Sequence, residues 1–216
     1  MTERRFDLVV FDWDGTLADS TSIIAAALQG ACRDLGCKVP DEEAARYVIG
    51  LGLIDALRHV APSLDAEDYP RLSARYREHY FAREAEIPLF DGARDLLADL
   101  RARGHRIAVA TGKSRVGLDR ALAYHRLTEA FDATRCADEG MPKPHPDMLH
   151  HLMRATATPA SATVMIGDTT HDLLMASNAG VAAIAVTHGA HAAERLAEHP
   201  TLGVAASVAA LSRLLR

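Results

Sequence analysis

Two aspartates, Asp12 and Asp14, stand one residue apart in "FDWDGTLADS", directly after the apolar run Leu8-Val9-Val10-Phe11. An unbroken apolar run reads as a strand covered on both faces. Carboxylates crowded at its exit cost free energy unless a cation or bonded partners offset the repulsion. Asp-Gly is also a strong hairpin signal. No matching strand follows Gly15, however, and the residues after it pattern as a helix. The acid pair therefore reads as a candidate site rather than a turn.

Three further segments carry groups of the same kind. "RIAVATGKS" delivers Thr111, Gly112, Lys113 and Ser114. "MPKPHPD" holds Lys143 in a proline-bracketed loop, and "ATVMIGDTTHD" delivers Asp168 and Asp172. In open α/β sheets ligands bind outside the carboxyl ends of the strands. Gathered there, these groups suit a phosphate ester with a hard cation. Mg²⁺ takes oxygen ligands and keeps several waters. One carboxylate can attack phosphorus, and a second can protonate the leaving oxygen and later activate water. A lysine can screen nucleophile and phosphate, while a hydroxyl and backbone amides bind the equatorial oxygens. Singly, each has an ordinary reading: Thr111-Gly112 a strand-to-helix turn, Lys143 a solvated charge, Asp168 an N-cap, Asp172 a surface acid. Their joint occurrence in this order carries the functional reading.

The elements that must position these residues alternate. Strands are expected at 8–11, over "RIAVATG", weakly near 131–134, over "ATVMIGD" and over "VAAIAV". Helices are expected at 91–104, 114–125, 146–155 and 170–179, with Gly104 and Gly180 as stops. Strand–helix alternation implies a mostly parallel, doubly wound, Rossmann-like α/β sheet. The stretch from about 17 to 87 breaks the pattern and reads as all-helical: 20–36, 42–49, a restart at 53 after "GLGL", and 67–83. The economical division is a discontinuous α/β core, residues 1–16 and 88–216, with a small helical domain, 17–87, inserted after the first strand. Tyr69, Leu72, Tyr76 and Tyr80 share one helical stripe, which favours bundle core over binding surface.

The chain has 216 residues, 49% hydrophobic and 25% charged, with a formal net charge of -5. That balance carries no nucleic-acid footprint. Cys32, Cys37 and Cys136 form no CxxC pair and no even set, as expected of a reducing compartment. No signal-peptide core and no membrane-length apolar run is visible, so the expectation is a cytoplasmic protein without membrane partners.

The order "DWDGT", "ATGKS", "KPHPD", "GDTTHD" resembles the four motifs of the haloacid dehalogenase superfamily over residues 8 to about 190. The first and fourth motifs are specific; the middle two are weak alone. The resemblance implies that Asp12 is the nucleophile and Asp14 the general acid/base. It implies that Thr111, Gly112 and Lys143 bind the phosphoryl group, with Lys143 also screening the nucleophile. Asp168 would hold Mg²⁺ with Asp12 and the Asp14 carbonyl, and Asp172 would support the metal shell. The inserted helices look like the family's small cap.

An acid at position 14 suits phosphate esters, because an alkoxide leaving group needs a proton. "FDWDGTLADS", "KPHPDML" and "GDTTHDLLMASNAG" look most like phosphoglycolate phosphatases. The reading is therefore a Mg²⁺-dependent phosphatase of a small phosphorylated metabolite, with 2-phosphoglycolate leading. Gly112 departs from that pattern, since many relatives carry Asn there. Arg46 or Arg58, beside the glycines at 50 and 52, could meet a substrate carboxylate. Alternatives are a phosphosugar mutase or pyrophosphatase of the same superfamily, or a receiver-type signalling module. The receiver reading conflicts with the chain length, the insert and the acids after Lys143. A Walker A loop fails because its first glycine would fall at Ile107.

Overall fold

Leu8–Phe11 forms β1 with all four side chains buried, in a computed structural model that describes residues 5–216. β1 runs parallel to β2 (Arg106–Thr111) on one side and β4 (Thr163–Gly167) on the other. β3 (Ala133–Cys136), β5 (Ala182–Val186) and β6 (Val204–Ala205) complete a six-stranded sheet of order β3-β2-β1-β4-β5-β6, in which every pairing is parallel. β3 begins two residues later than expected, because Asp132 spends its own groups on Ile107, donating through N and accepting through its carboxylate.

Helices cover both faces, which is why β1 is an unbroken apolar run. Val9 and Phe11 pack toward α5 (Ala93–Ala102) and α10 (Val208–Leu214), through Leu96, Leu100 and Leu211. Leu8 and Val10 face the opposite way, toward Met148 and Leu152 of α7 (Asp147–Ala155) and Leu173 of α8 (Thr170–Asn178). α6 (Arg115–Tyr124) and the short α9 (Ala193–Leu196) complete the layers. The doubly wound α/β expectation holds.

Between β1 and α5 the chain makes four helices: α1 (Thr21–Asp34), α2 (Glu42–Tyr47), α3 (Leu53–Val60) and α4 (Tyr69–Phe81). Leu28, Leu57 and Leu72 are fully buried among them. The chain enters and leaves this block side by side: Asp19 N donates to the Pro88 carbonyl and Phe90 N to the Leu17 carbonyl, each at 3.0 Å. Trp13, between the two acids, points away from them and packs edge-on against Phe131. None of the described helices is long and apolar enough to cross a membrane.

Candidate active site

Strand register brings the acids together. Phe11 pairs with Val109 on β2 and with Ile166 on β4, and Asp12 N donates to the Ile166 carbonyl at 2.9 Å. The first residue past β1 therefore lies beside the ends of both neighbours, where Thr111 and Asp168 stand. The strand order reverses direction about β1, and such a switch point opens a crevice at the carboxyl ends. Asp12, Thr111, Asp168 and Asp172 have no exposed surface, and Asp14 and Lys143 are also buried.

Lys143 joins two of the acids. Its Nζ lies 2.8 Å from Asp12 Oδ1 and 2.7 Å from Asp172 Oδ1. The other Asp172 oxygen accepts from Thr169 N at 3.1 Å and Thr169 Oγ1 at 2.7 Å, closing a capping box at the start of α8. Thr169, not Asp168, is thus the cap, and Asp172 is no surface acid. Asp168 is held by Thr16 Oγ1 and by Ala190 N, each at 2.7 Å. Gly15 turns at φ +82°, and a side chain there would run into the Asp168 carboxylate. Only glycine meets both conditions cheaply.

Asp12 is the exception. It has Lys143 beside it, yet neither of its buried oxygens accepts a well-directed hydrogen bond. Asp12, Asp168 and Asp172 can each offer an oxygen within 4.8 Å of the others. Burial pushes Asp12 well above the usual carboxylate range, against the pull of Lys143. Burial, with the neighbouring Asp172, pushes Asp168 up to about 7. Burial lowers the Lys143 ammonium, but the charges of Asp12 and Asp172 outweigh it and hold its pKa above the ordinary value. Orphaned oxygens among three buried carboxylates suit a hard divalent cation, and the residues present fit Mg²⁺.

The Asp14 carboxylate lies outside that trio. It accepts from Ser20 Oγ at 2.7 Å and from Lys113 Nζ at 3.2 Å. Lys113 also donates to the Tyr80 hydroxyl at 2.8 Å, tying the acid to α4. Ser20 stands at the N-cap position of α1 but makes no capping bond. The sequence marks Ser20 as a possible cap and Tyr80 as bundle core, places Lys113 at a strand end without a partner, and marks neither Thr16 nor Thr169. Lys113 is visible within "TGKS", but its partner on another segment is not.

Thr111 Oγ1 accepts from Lys113 N at 3.1 Å, and Gly112 lies under the loop at 50–52. A Cβ at position 112 would stand 2.5 Å from the Leu51 carbonyl oxygen and 2.6 Å from that of Gly50. The two arginines considered as carboxylate anchors are engaged elsewhere. Arg46 pairs with Glu42 at 2.7 Å and donates to Thr21, and Arg58 pairs with Asp55 at 3.7 Å. Neither lines the cavity of about 330 Å³ that opens from Asp12 and Asp14 toward the helical block. Tyr76 and Tyr80 do line it, so part of the tyrosine stripe is cavity wall as well as bundle core.

Residues 9–186 match the family model described as haloacid dehalogenase-like hydrolase. The chain is 41% identical to a protein of Dickeya dadantii named a probable phosphatase, IndB, over 88% of this chain and 84% of the relative. It is 32% identical to a 5′-nucleotidase of Pseudomonas aeruginosa, covering 98% and 96%. It is 30% identical to a phosphoglycolate phosphatase of Vibrio parahaemolyticus, covering 88% and 87%. The crystal structure of a hydrolase from Pseudomonas syringae superposes with a TM-score of 0.89 at 22% identity, over 97% of each chain, and shares the fold.

Proposed function

The chain belongs to the haloacid dehalogenase-like hydrolases and is a Mg²⁺-dependent phosphoric monoester hydrolase; from that premise we propose the following roles and substrate range. Asp12 is the nucleophile. One of its oxygens forms the new bond to phosphorus, the bond from phosphorus to the ester oxygen breaks, and an aspartyl-phosphate results. Asp14 gives its proton to the departing alkoxide. It then takes a proton from a water that attacks the same phosphorus and returns Asp12 as a carboxylate. Thr111 and the backbone N–H of Gly112 bind the phosphoryl oxygens, and Lys143 holds Asp12 in place and screens the charge gathering there.

Asp12, Asp168 and the Asp14 carbonyl, with Asp172 in support, would hold Mg²⁺, which would supply positive charge at the transferring phosphoryl group. The helices at 17–87 act as a cap that excludes water from the reacting centre. One observation carries these assignments: a fully buried Asp12 carboxylate whose oxygens lack hydrogen bonds, between Lys143 and two further buried acids.

The substrate is a small phosphorylated metabolite. 2-Phosphoglycolate heads the panel to be tested, on the strength of the motifs and of relatives that carry that activity in their names. Nucleoside 5′-monophosphates join it because of the nucleotidase relative. Phosphate release with Mg²⁺ across this panel is the test, with Asp12→Asn as the control. A requirement for a sugar bisphosphate would instead indicate a mutase, and release from none of the esters would refute the proposal.

A further inference from the structure

The cavity changes character along its length. Its inner end is polar and presents Asp12, Asp14, Thr111 and Lys113. Toward the helical block its walls are Ile24 and Leu28 of α1, Ile54 of α3, and Tyr76, Tyr80 and Phe81 of α4. At about 330 Å³ it falls within the range of ~300–1,000 Å³ found for sites that enclose drug-sized ligands. A two-carbon leaving group fills little of that space.

The three aromatic side chains form one wall. Residues four apart share a helix face, and the Tyr76 and Tyr80 rings lie nearly parallel with centroids 5.9 Å apart. Phe81 meets Tyr80 edge-on at 5.8 Å. Phe81 and Ile54 keep 41% and 42% of their surface exposed, and the Arg120 guanidinium lies over the Phe81 ring at 4.6 Å from its centroid.

The charges argue in the same direction. Lys113 is committed to Asp14 and to the Tyr80 hydroxyl. The other cation of the lining, Arg77, is outnumbered by Asp55 and Asp138. A carboxylate on the leaving group would lose hydration against apolar walls and gain little charge in return.

We infer that the substrate is the phosphate ester of an alcohol bearing a flat, uncharged aromatic or heteroaromatic ring. The ring lies against Tyr76, Tyr80 and Phe81 while phosphorus faces Asp12. Aromatic rings favour offset or edge-on contact with one another, as the three rings of this wall already do among themselves. The inference rests on the phosphatase reading and chooses among its substrates.

The test compares 2-phenylethyl phosphate with ethyl phosphate in the presence of Mg²⁺. Both are primary alkyl esters, so the ring acts through binding rather than through leaving-group chemistry. 2-Phosphoglycolate is the third substrate. The expected result is kcat/KM at least tenfold higher for the phenylethyl ester than for either other compound. Phe81→Ala and Tyr76→Ala should each reduce that ratio several-fold; Phe81 is exposed enough for its replacement to spare the core. Equal kcat/KM across the three esters, a preference for 2-phosphoglycolate, or a ring preference that both variants leave intact would overturn the inference while the phosphatase reading stands. No turnover of any ester would refute the phosphatase reading itself.

Discussion

The carbonyl oxygen of Leu51 lies directly over Gly112, so close that a Cβ on residue 112 would stand 2.5 Å from it. Position 112 belongs to the polar end of the cavity, and Leu51 belongs to the loop between α2 and α3. Gly112 thus lets the helical block seat on the strand ends. Gly112→Ala should displace that loop while the core still folds. A misplacement of about 1 Å can cost on the order of 10²-fold in rate. The expected outcome is a fall of that order in kcat/KM with little change in melting temperature. Activity within about twofold of wild type would show that the contact is dispensable.

Asp12→Asn should abolish turnover without unfolding the protein. The substitution keeps the shape and relieves crowding among three acids, while Lys143 keeps its pairing with Asp172, so the fold should persist. Circular dichroism would report the fold and phosphate release the activity. Residual activity within about tenfold of wild type, roughly 1.4 kcal/mol of barrier, would exclude Asp12 as the nucleophile.

Asp14→Asn separates the acid from the nucleophile. General acid–base catalysis is worth about 10²–10⁴-fold. The loss should be of that size on an alkyl phosphate and clearly smaller on p-nitrophenyl phosphate, whose leaving group needs little protonation. Equal losses on both would remove Asp14 from that role. Ser20→Ala removes the shorter hydrogen bond to Asp14 and leaves its carboxylate to Lys113 alone, and should produce a milder version of the same split.

Lys143→Met should destabilise the fold. It leaves Asp12 and Asp172 buried without their shared cation, and breaking a buried ion pair from one side costs about 3–5 kcal/mol. Urea denaturation in EDTA would measure the loss. Added Mg²⁺ should recover part of it by replacing the missing positive charge. A change below about 1 kcal/mol would mean that the acids are already neutral in the metal-free protein.

Mg²⁺ binding should strengthen as pH rises toward 7. Asp168 is pushed from 3.8 up to about 7 in the folded chain. A raised carboxyl pKa contributes stability to the metal-free fold that is complete below about pH 4 and is lost as pH rises through about 7. Ligation needs the deprotonated form, so protons compete with the metal throughout that window. At fixed Mg²⁺ the gain in melting temperature should grow between pH 5 and pH 7, each limit being approximate. A gain independent of pH would contradict the shift.

The local chemistry of this protein was written into its sequence. The all-apolar run before Asp12 announced a strand buried on both faces. Asp12, Thr111 and Asp168 announced themselves by following such runs, because ligands gather where parallel strands end. Helix limits followed from glycines such as Gly36, Gly104 and Gly180, whose positive φ favours that residue. The tertiary structure decided the partnerships. Asp14 meets Lys113 across 99 positions, and Asp168 meets Thr16 across 152. No periodicity encodes such pairs, because both are set by strand order and register. Tyr76 and Tyr80 show the same limit. Their spacing places them on one helix face, but that face covers both core and cavity, and only the packing of α4 over the strand ends settles which side chain meets which.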